Sequence, residues 1–414
     1  MPTLRQFYPA IRLVVCCLVL AIGLRTWLMM GLIEPVTVAG SSMVPALHGA
    51  AVTAVCPQCE HQFLVGTEFA AVTPNVPCPQ CDLLRVPLNG LRSQRSDRLW
   101  VDRTSLFWQA PQRWDIVVAR DPTAATEMCV KRIVGLPGEQ IGLRDGNVLV
   151  NNEVVPKRLE ERRALRQRVH REQLGSQRWQ PDDARRWQLE DNVWKHSDSP
   201  DESTTWLQYQ HPRALGITDD VTYNAGLTRK LNLINEFMLS TEMHAQGEGS
   251  ISFDLDDGSA SAQIVLRLPQ GSVSLLESKQ RGPTYQLSAP SRARLTGGSV
   301  LVELSNFDFE LLLVIDGRVE LRRRWPRLKA VGTTRPFSIG VRGLQLRLRE
   351  LTVYRDIFHS SRAIGAVSPP GTRWQLAPGE YFLLGDNGPV SIDSRVWGPV
   401  SARLLLGKPL FSGR

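Results

Sequence analysis

Apolar positions along the chain fall into three patterns. The first is one continuous run, Leu13-Val14-Val15-Cys16-Cys17-Leu18-Val19-Leu20-Ala21-Ile22-Gly23-Leu24, closed by Arg25. Extended back to Phe7 and forward to Trp27, it reaches the roughly 20 residues that a membrane-crossing helix needs, with Arg12 and Arg25 snorkelling to opposite interfaces. A cleaved secretory signal is the competing reading. No Ala-x-Ala-like site follows, so the run predicts an uncleaved anchor. Arg5 and Arg12 before it, against Glu34 alone after it, place the amino end in the cytoplasm and everything beyond residue 33 outside.

The second pattern is short strand-like text. Asp97–Asp102, Arg113–Ala119 and Met128–Glu139 are β-branched or apolar runs closed by Gly and Pro, which argues for an all-β fold. Val38–Leu47 reads as a strand ending in a tight turn. Gly40 there lets the backbone approach closely, and Pro45 fixes φ beyond the Ser42 hydroxyl. Tyr381–Leu384 runs into Gly385-Asp386-Asn387-Gly388-Pro389, a strong turn signal, and Asp393 and Arg395 then alternate on one face, placed to pair.

The third pattern lies between these strands. Residues 157–195 are Arg-rich with helical spacing, then irregular around Trp179, Trp187 and Trp194; they read as a solvated helix and connector, with membrane-surface contact as the other reading. From Trp206 onward, Ile251–Gly258, Ala262–Leu268, Val300–Asn306, Leu312–Gly317 and Ile339–Leu348 alternate apolar and polar positions between turns, the pattern of a β-sandwich.

Composition narrows this picture without changing it. A chain of 414 residues, 42% hydrophobic and 22% charged, holds two or three folded domains. The net charge of +8 comes without a helix-turn-helix or stacking-aromatic motif, so an anionic membrane surface fits better than nucleic acid.

Candidate chemistry sits at three places. Cys56-Pro57-Gln58-Cys59 and Cys78-Pro79-Gln80-Cys81 form two Cys-x-x-Cys knuckles, the four soft ligands of a closed, structural Zn²⁺ site; disulfides are the alternative outside the cytoplasm. Cys16 and Cys17 are apolar filler of the span, and Cys129 reads as a small buried strand residue. Ser42 needs a base if it is to react. His48 is near in sequence but has nothing to orient its ring, and reads as a loop histidine. Lys131 is a lysine among strand-forming apolar residues; it is either an exposed strand cation or a buried amine whose lowered pKa suits it to proton abstraction.

Together these stretches resemble a family. Ser42-Met43-Val44-Pro45-Ala46-Leu47, the Arg113–Val118 strand, Lys131–Glu139, and Gly385-Asp386-Asn387 followed by Ser391-Ile392-Asp393-Ser394-Arg395-Val396-Trp397-Gly398 occur in this order in type I signal peptidases, membrane-anchored serine proteases with a Ser–Lys dyad. The resemblance covers about residues 7–53, 96–156 and 366–414. It implies Ser42 as nucleophile, Lys131 as general base, Ser391 as the hydroxyl that orients the amine, Asp393 and Arg395 as the pair holding that shell, and Asp386 supporting the turn. The residue types suit the chemistry. An amine acts as a base only when neutral, which asks for a dry pocket and a hydroxyl instead of a carboxylate beside it. Many members carry a hydroxyl residue two positions before the nucleophile, aimed at the oxyanion; this chain has Gly40, which leaves the hole to backbone N–H groups, chiefly that of Ser42. The later strands are similar to concanavalin-like or laminin-G-like jelly rolls, a likeness resting on pattern, with spacer, substrate-docking and glycan-binding roles all open.

The organisation expected is mainly β: 1–33 cytoplasmic end and anchor, 34–53, 96–156 and 366–414 a discontinuous catalytic domain, 54–95 the zinc-knuckle insertion, 157–204 a basic helical or irregular linker, and 205–365 the sandwich. The function expected is removal of signal peptides from exported preproteins at the outer face of the cytoplasmic membrane, with no cofactor for catalysis. The alternatives are a catalytically weak or inactive membrane-tethered glycan- or protein-binding module acting through the sandwich, and a self-cleaving repressor-type Ser–Lys protease. The anchor and the lack of a DNA-binding segment weigh against the last.

Overall fold

The computed structural model describes residues 8–27, 31–88, 90–124, 126–173, 175, 177–198, 203–269, 272–279, 285–290, 298–326, 331–363, 366–367, 369 and 371–413. It is mainly β. The first element is a 20-residue helix, Tyr8–Trp27, that leaves Leu13, Val14, Leu18, Leu20 and Ile22 exposed. Judged on the described residues, no helix is long and apolar enough to cross a membrane, so the expected anchor finds no support there. Residues 1–7 and 28–30, which flank the helix, lie outside the described residues.

The first sheet is built from segments far apart in sequence. Its strand order is Ile33–Thr37, Arg98–Asp102, Leu405–Gly413, Ile116–Arg120, Met128–Gly135, Glu380–Leu384 and Val400–Ser401. Alternation does the sorting: in Ile116–Arg120 and Met128–Gly135, Val117, Ala119 and Ile133 pack with Leu383 and Tyr381 under one face. A four-stranded sheet of Glu153–Val154, Asn147–Val150, Gln140–Arg144 and Arg373–Gln375 lies beside it, sharing a core of Ile141, Leu143, Val148, Phe382 and Leu384.

Among the described residues between 157 and 365, two larger sheets face each other. One runs Trp187–Glu190, Val193–His196, Gln345–Arg355, Phe237–Gln246, Val300–Ser305, Glu310–Ile315 and Arg318–Arg324, with Gln167–Arg171 also paired to Gln345–Arg355. The other runs Trp179–Pro181, Thr205–Tyr209, Phe337–Arg342, Gly249–Asp256, Ala260–Leu268, Ser272–Lys279 and Tyr285–Pro290. A single apolar core fills the space between them.

The expected linker over 157–204 takes a different form. Its helix is short, Leu159–Leu165, and Gln167–Arg171, Trp179–Pro181, Trp187–Glu190 and Val193–His196 are strands built into the sandwich. Trp179, Trp187 and Trp194 are core side chains, not surface ones. The helix is not a solvated one either: Arg162 is fully buried, donating to Glu310, Ser305 and the Lys157 carbonyl. Arginine density hid the period-2 alternation of Trp187-Gln188-Leu189-Glu190.

Candidate active site

Ser42 sits in the turn that follows the Ile33–Thr37 strand. Val38, Met43 and Leu47 anchor that turn in an apolar cluster with Leu99, and the Leu47 N–H closes it on the Met43 carbonyl at 3.0 Å. Lys131 comes from the middle of the Met128–Gly135 strand, where it pairs across to Val117. Its Nζ lies 3.0 Å from Ser42 Oγ, and the side chain is 4% exposed. The Trp397 ring, its centroid 5.9 Å from the amine, is part of what keeps water away. Burial pushes the amine below the ordinary lysine range; Cys129, Asp393 and Asp121 pull it back upward, and Arg395 pushes it down. Cys129 is half-buried, its thiol pushed up to about 11 by burial.

Successive strand side chains point to opposite faces, so Arg132 has a separate set of partners. It grips Asp386 with two bonds, Nε to Oδ1 at 2.7 Å and Nη2 to Oδ2 at 2.6 Å, and donates to the Trp114 carbonyl. Asp386 therefore ties its turn to the lysine-bearing strand.

Asp393 caps the short helix Ser394–Trp397. Its carboxylate accepts from the Gly385 N–H at 3.0 Å and from Arg395 Nε and Nη2 at 2.8 and 2.7 Å. Burial pushes its pKa up, but the Arg395 contacts outweigh burial and hold it below the usual carboxylate value. Arg395 also donates to the carbonyls of Ser360, Arg362 and Gly388. Asp393 and Arg395 are thus the buried ion pair read from the sequence.

Ser391 is fully buried against the same turn, but its Oγ makes no hydrogen bond, so the expected bond to the Lys131 amine is not formed. Gly385 is what admits this side chain: a Cβ at 385 would stand 2.3 Å from Ser391 Oγ and 2.5 Å from the Ser42 carbonyl oxygen. Gly40 does not play the close-approach part expected of it. It is exposed, and a Cβ there meets nothing within 4 Å. The close approach belongs to Gly49, where a Cβ would come within 2.9 Å of the Ala39 and Gly40 carbonyl oxygens. The His48 ring has company that the sequence did not suggest, Asp97 at 3.6 Å and the Tyr223 ring.

Two asparagines went unassigned. The Asn387 backbone N–H donates to the Ser42 carbonyl and its Nδ2 to the Ser41 carbonyl, both at 2.9 Å. Asn224, from the inserted region, pairs with Asn387. Asn387 stood in the Gly-Asp-Asn turn and was legible; nothing around Asn224 in the sequence marks it.

The four knuckle cysteines converge. Their sulfurs all lie within 4.8 Å of one another, with Cys56–Cys81 at 3.5 Å and Cys59–Cys78 at 3.7 Å. All four thiols are free, and these separations exceed the roughly 2.05 Å of a disulfide. They match the edge of about 3.8 Å that a tetrahedron with Zn–S bonds of about 2.3 Å requires. The donor set therefore fits a closed tetrathiolate site, which could hold a metal in a structural role.

The signal peptidase, peptidase S26, family model matches residues 10–204 and 354–412, and the chain belongs to that family. It is 38% identical over 66 residues to a signal peptidase I of Leptolyngbya laminosa, a stretch covering 14% of this chain and 32% of the relative. It is 37% identical over 68 residues to a probable signal peptidase I-2 of Synechocystis, covering 15% and 31%. The chain thus spans about a third of the length of these curated relatives. Among solved structures, the VIP36 exoplasmic/lumenal domain aligns at a TM-score of 0.32 and 8% identity over 44% of this chain and 85% of that one. The Emp47p carbohydrate recognition domain aligns at 0.31 and 12% over 44% and 89%. At these scores neither likeness carries anything to this chain.

Proposed function

We propose that the chain is a serine endopeptidase that removes signal peptides from exported preproteins, with Ser42 as nucleophile and Lys131 as general base. The observation that carries this is the 3.0 Å contact between a buried amine and the Ser42 hydroxyl. A neutral Lys131 takes the Ser42 proton as Oγ attacks the scissile carbonyl. The ammonium then returns that proton to the departing amine, and the neutral base next activates the water that releases the signal peptide from Ser42. Asp393 favours the charged amine, but its carboxylate is spent on Arg395. The Ser42 N–H serves the oxyanion in the absence of a side-chain donor at Gly40.

The exposed apolar face of Tyr8–Trp27 supports attachment to the cytoplasmic membrane, with the site on its outer side. Cys56, Cys59, Cys78 and Cys81 would hold one zinc ion, which would brace the knob they build and take no part in catalysis. The test is preprotein processing by Ser42→Ala and Lys131→Ala separately. Each loses activity by at least about 10³-fold; full processing by either variant rejects the dyad.

A second reading, a tethered binding module acting through the sandwich, draws on Gly40 and on the unpartnered Ser391 hydroxyl. Detectable turnover of a signal peptide by the wild-type chain excludes it.

A further inference from the structure

The segment Val221–Asn224 lies between the sandwich strands Thr205–Tyr209 and Phe237–Gln246, yet it reaches across to the nucleophile turn. Val221 and Tyr223 share an apolar cluster with Val44, Ala51, Leu64 and Phe69. The Tyr223 hydroxyl donates to the Ala50 carbonyl at 3.0 Å. Its ring passes where Gly66 has no side chain; a Cβ there would meet it at 2.6 Å.

This wedge delivers Asn224. Its Nδ2 donates to Asn387 Oδ1 at 2.7 Å, and Asn387 Nδ2 donates back at 2.8 Å. The two side chains are 6% and 0% exposed. Asn387 Nδ2 has two hydrogens, and its second goes to the Ser41 carbonyl. That carbonyl and the Ser42 N–H belong to one planar peptide unit, so whatever holds the oxygen aims the N–H. The Ser41 carbonyl already selects which end of the Asn387 amide faces it; Asn224 adds the reciprocal pair of bonds that holds that amide in position, and without them Asn387 would be left with the Ser41 bond alone on its side chain. A side-chain donor at position 40 would make this less important; Gly40 offers none.

We propose that Asn224, supplied by the inserted sandwich, is a positioning residue of the active site: through Asn387 it fixes the Ser41–Ser42 peptide and so aims the oxyanion donor. The inference rests on the Ser–Lys peptidase reading. The insertion is then part of the catalytic apparatus, whatever else it binds.

The test uses the full chain and compares wild type, Asn224→Ala, Asn224→Asp and Arg213→Ala. Arg213 also joins the insertion to the knob, 3.6 Å from Asp82, and pairs at 3.0 Å with Asp220 just before the wedge, without touching Asn387 itself; it therefore controls for a general loosening of this contact. Preprotein processing and phosphonylation of Ser42 by a fluorophosphonate, in which Oγ displaces fluoride from phosphorus, are followed across pH, with melting curves for each variant. Asn224→Ala is expected to lose about 10–100-fold in kcat with KM within about twofold, the range for a mis-aimed oxyanion donor. The acidic limb of the pH profile stays in place, because the Lys131 pocket is untouched. Asn224→Asp keeps an acceptor for the Asn387 amide but sets a buried carboxylate oxygen against Asn387 Oδ1 in place of the donor, so it is expected to lose at least as much as Asn224→Ala. Wild-type rates in both Asn224 variants, a loss no larger than that of Arg213→Ala, or a displaced acidic limb would each overturn the positioning role. A wild-type chain that leaves the preprotein uncut overturns the peptidase reading itself.

Discussion

Lys131 is held where an amine is least comfortable as a cation. With its folded pKa lowered by burial, the unfolded chain binds the extra proton between that value and the ordinary lysine range, so stability rises with pH across the window and is diminished below it. Lys131→Met, of similar length and free of charge, is therefore expected to raise the melting temperature at neutral pH by a few degrees while abolishing processing. The gain shrinks as pH climbs toward the ordinary lysine range. A melting temperature lowered at neutral pH would show that the cation is tolerated in place. Gly40 offers the converse change. Because a Cβ at 40 meets nothing within 4 Å, Gly40→Ser is expected to fold unchanged and to raise kcat, by up to about 10²-fold if its hydroxyl finds the oxyanion. Steady-state kinetics on a signal-peptide substrate decide it, and an unchanged kcat would leave the backbone donor sufficient by itself.

At the scale of elements, the knob of residues 54–95 depends on four sulfurs more than on its small core of Ala54, Phe63, Val65, Val76 and Val86. So few buried side chains fold poorly unaided, and a tetrathiolate ion would supply what they lack. Elemental analysis is expected to find about one zinc per chain. Stripping it with a strong chelator should lower the melting temperature and slow processing, since the Tyr223 wedge packs on Leu64 and Phe69 of that knob. Metal-free protein with oxidised thiols and full activity would remove the zinc from the account. Elements also mark where sequence reading succeeded. Strands such as Ala260–Leu268 announce themselves, with apolar side chains at alternate positions and Ser261, Gln263 and Arg267 among those between. Phe237-Met238-Leu239-Ser240-Thr241-Glu242-Met243-His244-Ala245-Gln246, a strand central to its sheet, did not, because one half is buried on both faces and shows no alternation. The site was legible where its residues fall in compact motifs, as Ser42, Lys131, Asp393 and Arg395 do. It was illegible where partners 163 positions apart meet only in the fold, as Asn224 and Asn387 do.

The whole molecule is joined by a buried charge cluster at the seam between the insertion and the sheets carrying Ser42 and Lys131. Lys157 donates to Asp308 and, at 2.7 Å, to Asp356, and its ammonium lies 5.4 Å from the Trp114 ring centroid. Glu236 completes the group, accepting from Asn147 of the four-stranded sheet at 3.3 Å and from the Asp308 N–H at 3.1 Å. One cation cannot serve three carboxylates, and burial, followed by the charges of Asp356 and Asp308, pushes Glu236 up to about 8. A carboxyl whose folded pKa is raised is stabilising in its protonated form. The folded state therefore loses stability as pH rises from the ordinary glutamate value, about 4.5, toward 8. Glu236→Gln keeps the accepting oxygen and cannot ionise, so it should melt with the wild type near pH 5 and above it by a few degrees beyond pH 8. Melting curves for both chains across that range check this, with processing rates measured in parallel. Since Asn147 belongs to the segment that also carries Lys131, loosening the seam at high pH should cost activity in the wild type and spare the variant. Identical melting profiles at every pH would mean that Glu236 is ionised throughout and that Lys157 neutralises more charge than this arrangement allows.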